Sequence, residues 1–279
     1  MISTSQMKTL LDRAYVPEQV VDYVTAVSGA EPFMFGDFLV YLKGNQLVFV
    51  GYPLSGAFND QGIKKALDEA LKRFSPGRVA LTAPCIPASL YPMASTSSDQ
   101  YYRLELASLS ISQKVRNMLG HAERLLNVEK RKTFSEEHEE LVREFLKTHP
   151  VNRETQYIFE RIPGYVTSTE TAWVFDARNK QGNLVAFDVA ETGPKDYAFY
   201  MFNFTSRSRF VPGASDLLFH EIIQNALGED KRYINMGLGI NPGVTFFKQK
   251  WGGIPFLPYT LVKFTPASDG ELERLLQKL

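Results

Sequence analysis

The fold is decided by the stretch from Tyr197 to Phe264, which reads YAFYMFNFTSRSRFVPGASDLLFHEIIQNALGEDKRYINMGLGINPGVTFFKQKWGGIPFLPYTLVKF. Its apolar pattern predicts strands at residues 197–204 and 233–237, with an amphipathic helix from about residue 216 to 227 between them. A Gly/Asn/Pro loop, a short helix containing Phe246, Phe247 and Lys248, and a last strand at about 256–264 follow. This order places the N–H groups of a helix start beside a sheet, where they suit a phosphate or carboxylate.

The turn before the helix combines basic residues with small ones. Gly213, Ala214 and Ser215 would let a ligand phosphate approach the backbone amides, whereas the alternative is an ordinary helix start capped by Ser215. Arg207 and Arg209 carry groups that bind phosphate or carboxylate, although arginine is also common in exposed turns. Both interpretations stay open for each group.

Composition describes a globular protein. The chain has 279 residues, 44% hydrophobic and 13% aromatic. It contains no apolar run near the roughly 18 residues of a membrane span and no secretory signal, and its single cysteine, Cys85, excludes an intrachain disulfide. We therefore expect a cytoplasmic protein.

The net charge and its distribution along the chain indicate which kinds of partner the protein could bind. The 31 basic and 31 acidic residues balance, which argues against a broad nucleic-acid footprint. Segment 114–132 is locally basic, and an acidic helix with Glu136, Glu137, Glu139 and Glu140 follows it. Two solvated helix faces are the main interpretation, and a groove for a phosphorylated ligand or an RNA end is the alternative.

The chain repeats one order of elements. A hairpin, a helix and a strand occur near residues 38–82 and again near 172–237, and helices dominate from Ser110 to Lys147. Residues 94–99 are expected to form a loop, and Ser268 to Glu271 has the spacing of a capping box. We predict an α/β protein with two mixed-sheet domains in tandem, at residues 1–134 and 135–279, and helices on both sheet faces.

Three features resemble a known family. They are the turn ending Gly213-Ala214-Ser215, the strand from Tyr233 that ends in Gly237, and the later segment FKQKWGG at 247–253. Together they resemble the acyl-CoA N-acyltransferase (GNAT) fold. More narrowly, they resemble the tandem proteins of the Fem-type peptidoglycan aminoacyltransferases and the phosphatidylglycerol lysyltransferase C-terminal domain family.

The resemblance implies an acyl- or aminoacyltransferase with a degenerate N-terminal domain. Its donor would be coenzyme A-bound acyl or aminoacyl-tRNA, used as a co-substrate and not as a tightly bound cofactor. GNAT enzymes usually begin the cofactor helix with Gln/Arg-x-x-Gly-x-Gly/Ala. Here Phe210 holds the leading position, Arg209 stands one step early, and Pro212 removes one amide donor.

Acyl transfer to an amine needs a base for the ammonium and an acid for the leaving group. The candidates for these roles are Asp188, Glu191 and Tyr200. The candidate binding residues are Asn203, Phe204, Arg209, Gly213, Ala214, Ser215, Asn235 and Lys248. Asn203 and Asn235 would hydrogen-bond an amide, and Lys248 would neutralise developing charge or a phosphate. The alternatives are a surface position for Asp188, simple packing for Tyr200, and a packed stem with a solvated head for Lys248.

The four scattered histidines lack metal-ligand spacing, so we expect no metal site. We predict acyl transfer from a small-molecule donor, or from tRNA, to an amine, in a cleft between strands 197–204 and 233–237. The competing hypothesis is a degenerate GNAT-like protein that binds a ligand or partner without catalysis. The sequence gives no indication of the oligomeric state.

Overall fold

A computed structural model describes residues 2–87 and 95–266. The predicted capping box at 268–271 lies outside the described residues. Within them the chain forms two compact units, one of residues 30–87, 95–98 and 258–266 with Ile2, the other of residues 3–29 and 99–257. The predicted boundary at residue 134 falls inside the second unit, so the units do not coincide with the predicted domains.

The elements are numbered in chain order. The helices are α1 (Thr4–Arg13), α2 (Val21–Ser28), α3 (Asp60–Phe74), α4 (Gln113–Ala122), α5 (Glu136–Thr148), α6 (Arg153–Phe159), α7 (Ile162–Ser168), α8 (Ala214–Gly228) and α9 (Pro242–Lys250). The strands are β1 (Glu31–Phe35), β2 (Phe38–Lys43), β3 (Gln46–Val50), β4 (Arg78–Ala83), β5 (Ser95–Glu105), β6 (Leu126–Arg131), β7 (Ala172–Asn179), β8 (Leu184–Glu191), β9 (Tyr197–Thr205), β10 (Tyr233–Leu238) and β11 (Ile254–Phe264).

The first unit is a sheet with one long helix. Strands β1, β2 and β3 pair antiparallel, β4 lies parallel to β3, and β11 pairs antiparallel with β4. Helix α3 connects β3 to β4, begins at the Asn59 cap and packs Ile63, Leu67 and Ala70 into the core. The predicted hairpin and helix are confirmed here.

The second unit has strand order β5-β10-β9-β8-β7-β6, in which only β9 and β10 run parallel. Helix α8 makes the crossover between them, as a parallel pair requires. Strand β8 is buried along its whole length, because α4 and α8 cover one sheet face and α2, α5, α6 and α7 cover the other. Helices on both faces confirm the predicted fold class.

Several sequence-based boundaries are wrong. Helix α8 starts two residues early, so Gly213 is the N-cap and Ser215 lies inside the first turn. Residues 126–131 form β6 in the region predicted to be helical, since they pair with β7. Strand β5 begins at Ser95, in the predicted loop. Within the described residues, no helix is long and apolar enough to cross a membrane.

Candidate functional site

Strands β9 and β10 separate partway along their length. They pair from Tyr197 with Tyr233 to Asn235 with Phe199, after which each continues without a registered partner in the other. Strand β9 also carries a bulge against β8, where Phe202 opposes Val189 but Tyr200 opposes Ala190. The extra residue resets the alternation of side chains, so Tyr200 and Asn203 both lie on the α8 face of the sheet.

A buried polar cluster occupies that face. The Asn203 amide donates to Asp188 Oδ1 at 2.5 Å and lies 3.2 Å from Ser215 Oγ on α8. Asp188 is 0% exposed, and its second oxygen has no hydrogen-bond partner with good geometry. Burial therefore raises the pKa of Asp188 well above its usual range. Hydrogen bonds from the Asn203 and Tyr200 side chains oppose this shift but do not cancel it. The carboxyl can hold a proton where an exposed aspartate would be ionised.

Aromatic rings fill the space beside this cluster. Tyr200 stacks on Phe247 at 6.1 Å and meets Phe219 edge-on at 5.0 Å, and Phe219 meets Trp251 at 5.2 Å. Burial and the nearby Asp188 carboxyl raise the pKa of Tyr200 well above its usual range. Contacts among these rings pack the FKQKW segment, at the end of α9, against β9.

Asp216 ties the same segment to the start of α8. Its Oδ1 accepts the indole N–H of Trp251 at 2.9 Å and lies 2.5 Å from Lys250 Nζ. Both partners satisfy a carboxylate that is itself buried. This contact fixes the position of α9 relative to α8.

Lys248 lies on the inner side of α9 and is 2% exposed. Its ammonium donates to the Leu238 carbonyl and lies 5.6 Å from the Tyr102 ring centroid. No carboxylate oxygen of the described residues comes within 4.0 Å of it. Burial, partly offset by the charge of Asp99, lowers the pKa of Lys248 to about 7. Charged and neutral forms are therefore both available near neutral pH.

The carbonyl that Lys248 contacts belongs to Leu238, the last residue of β10, and a loop held by Asp99 follows it directly. The Asp99 carboxylate accepts the N–H groups of Gly239 at 3.1 Å and Ile240 at 2.9 Å. Ile240 has φ of 60° and is 74% exposed, an unfavourable conformation for a β-branched residue. Backbone strain is thus concentrated beside Lys248, as is common at functional sites.

Three predicted site residues lie away from this face or have their polar atoms satisfied. Glu191 accepts the Tyr165 hydroxyl at 2.5 Å and the Gly193 N–H at 2.7 Å, on the opposite side of the sheet. Phe204 belongs to the core on that side. The Asn235 side chain donates its N–H to the Tyr15 carbonyl, and its amide oxygen accepts the Gly237 N–H. Each has an internal contact that accounts for its position.

Three more predicted residues stabilise the turn before α8. Arg209 Nε donates to the Leu184 carbonyl at 3.1 Å, and Ala214 is buried. Gly213 has φ of 84°, and a Cβ there would lie 2.9 Å from Met118 Cγ and 3.3 Å from Ala122 Cβ on α4. The glycine therefore lets α8 and α4 approach each other.

The structure brings together Asp188, Tyr200, Asn203, Ser215 and, nearby on α9, the segment that carries Lys248. Sequence reasoning missed Asp99, Tyr102, Asp216 and Trp251. Asp99 and Tyr102 lie on β5, which only the long-range pairing with β10 brings near. Trp251 stands in the FKQKW segment, and that segment was the available signal.

No protein-family model matches the sequence, and no curated protein is similar to it in sequence. Solved structures are similar in fold. FemX has a TM-score of 0.66 at 11% identity, over 99% of this chain and 99% of its own. L-PGS from Bacillus licheniformis has a TM-score of 0.56 at 17% identity, over 96% of this chain and 97% of its own.

A tandem GNAT protein from the clavulanic acid biosynthesis pathway has a TM-score of 0.52 at 11% identity, over 83% of this chain and 79% of its own. At these identities the likeness concerns the fold. The chain has the tandem GNAT-like fold that these proteins share, as its sequence predicted.

Proposed function

We propose that this chain transfers an acyl or aminoacyl group from an ester or thioester donor to an amine, with Lys248 moving the proton. The GNAT-like fold supports acyl transfer in general, since FemX, L-PGS and GNAT proteins are among the similar structures. The resemblance noted in the sequence points the same way.

The observation that carries the proposal is the environment of Lys248. A buried ammonium without a carboxylate partner is costly, and such groups are often retained for chemistry. Lys248 lies at the end of β10, past the point where β9 and β10 separate, and beside the strained Ile240. A pKa of about 7 lies close to the optimum for a general base at neutral pH.

The chemistry has two proton transfers. The acceptor amine attacks the acyl carbon, forming the C–N bond, and the C–O or C–S bond to the donor then breaks. Neutral Lys248 takes the proton that the attacking nitrogen loses and returns it to the leaving oxygen or sulfur. The protein adds proximity and hydrogen-bond donors for the oxygen that gains negative charge. No covalent enzyme intermediate is needed.

Two donor classes remain within the proposal. For acyl-CoA, the diphosphate would have to approach the first turn of α8, where α4 packs on Gly213. For aminoacyl-tRNA, the basic segment offers limited charge, because Lys130 pairs with Glu229 and Arg131 with Glu129. The close packing at Gly213 favours the aminoacyl ester. A cytoplasmic location, where both donors occur, is part of the proposal.

The test is a donor panel of acetyl-CoA, a long-chain acyl-CoA and aminoacyl-tRNA, each with primary amine acceptors. We expect turnover with one donor class, measured as product by mass spectrometry, and a fall of about 10²–10⁴-fold in Lys248→Met. Lys114→Met, which removes an exposed lysine on α4, is the matched control and should keep wild-type activity. Equal activity in Lys248→Met and wild type would rule out the assigned role.

A specific observation favours a second candidate, a binding protein without catalysis. The rings of Tyr200 and Phe247 fill space beside the separating strands, where a donor would otherwise enter. This candidate predicts saturable binding of a panel member, seen as a concentration-dependent rise in Tm, with no product. Turnover would eliminate it.

A further inference from the structure

The turn from Ser206 to Arg209, between β9 and α8, encloses a carboxylate from another element. Glu144 of α5 places Oε1 2.8 Å from the Arg207 N–H and 3.0 Å from the Ser208 N–H. Its Oε2 accepts the Ser206 hydroxyl at 3.0 Å. Two successive backbone donors and a hydroxyl thus converge on one anion.

These donors form a concave anion-binding arrangement. Successive N–H groups of a turn that point to one place bind carboxylates and phosphates in many proteins. Burial alone would raise the pKa of Glu144. The hydrogen bonds from Ser208, Arg207 and Ser206, with the charge of Arg209, outweigh it and lower that pKa. The turn therefore favours negative charge at this position.

The turn also carries more positive charge than one carboxylate accounts for. In the described part of the chain, no carboxylate oxygen lies within 4.0 Å of the guanidinium group of Arg207 or Arg209. Arg207 is exposed, and its backbone N–H is one of the donors to the bound carboxylate. A purely structural contact between α5 and the turn would need the N–H groups, the hydroxyl and the charge of Arg209, but not the second, exposed arginine at position 207.

We propose that residues 206–209 are a binding site for a phosphate-sized oxyanion, and that the carboxylate of Glu144 fills this site. Phosphate offers more acceptor oxygens than a carboxylate and more charge for the two guanidinium groups. It can enter only when the Glu144 carboxylate leaves. Glu144 thus acts as an internal stand-in that keeps phosphate out, independently of the chemistry assigned to Lys248.

The test adds inorganic phosphate to purified wild type, Glu144→Ala and Glu140→Ala and follows Tm and the heat of binding. Glu140 is exposed on the same helix and is the matched control. We expect a saturable rise in Tm in Glu144→Ala alone, because a ligand of the native state raises Tm with concentration. Adding Arg207→Gln to Glu144→Ala should weaken phosphate binding at least several-fold.

Equal responses in all three proteins, or no binding by a folded Glu144→Ala, would overturn the proposal. If Glu144→Ala does not fold, Glu144→Gln decides, since its amide oxygen keeps an acceptor in place without the charge. More phosphate binding by Glu144→Gln than by wild type supports the site. The same binding in both proteins refutes it.

Discussion

At the scale of the residue, Asp188 links burial to a pH-dependent stability. With its pKa raised by burial, the native protein keeps a proton that the unfolded chain has lost at the same pH. The stability associated with that proton is complete below the ordinary aspartate pKa and is lost as pH rises through the native one. Ionised Asp188 would leave a buried charge with one unpartnered oxygen.

Asp188→Asn should therefore stabilise the protein at pH 8 more than at pH 4. The amide keeps an acceptor for Asn203 but cannot ionise, so we expect a gain of about 1–3 kcal/mol at pH 8. Urea denaturation at both pH values measures it, with the exposed Asp12→Asn as control. The same change in stability at both pH values would show that folding does not raise the pKa of Asp188.

At the scale of the element, the contact between α4 and α8 depends on Gly213. Two effects oppose a side chain there: the positive φ of 84° and the close approach of Met118. Gly182 has a similar φ of 83° in the β7–β8 turn, but no atom lies within 4 Å of the position that a Cβ would take there. A comparison of substitutions at Gly182 and Gly213 therefore distinguishes the cost of backbone strain from the cost of crowding.

We expect Gly182→Ala to cost about 1 kcal/mol through backbone strain and Gly213→Ala to cost about 1–3 kcal/mol more through crowding. Chemical denaturation of the two variants measures the difference. Equal losses would mean that α4 does not constrain α8 at this point, and a ligand-binding role for Gly213 would regain support.

At the scale of the whole molecule, the features that local sequence patterns determine were predictable, whereas those that contacts between distant segments determine were not. The order β9-α8-β10 was predictable because alternating strands, a small-residue turn and an amphipathic helix are local signals. The grouping of residues 3–29 with 99–257 was not, since it depends on long-range contacts such as the hydrogen bond from the Asn235 amide to the Tyr15 carbonyl. The bulge that orients Tyr200 and Asn203 likewise has no local signature.

The same limit explains the candidate site. Asp188 and Glu191 look alike in sequence, yet one oxygen of the Asp188 carboxyl lacks a hydrogen-bond partner with good geometry, whereas both oxygens of Glu191 are hydrogen-bonded. Lys248 was predicted as a binding residue from the FKQKWGG segment. Its burial and the neighbouring loop that Asp99 holds become visible only in the folded chain.

The central claim, that Lys248 moves the proton in an acyl transfer, is tested most directly by the pH dependence of kcat/KM with the active donor, in wild type and Lys248→Arg. Arginine keeps the positive charge but does not lose its proton. We expect wild-type kcat/KM to bend near pH 7, where Lys248 becomes neutral, and Lys248→Arg to be at least about 100-fold slower. A Lys248→Arg enzyme with near wild-type activity and the same pH profile would contradict it.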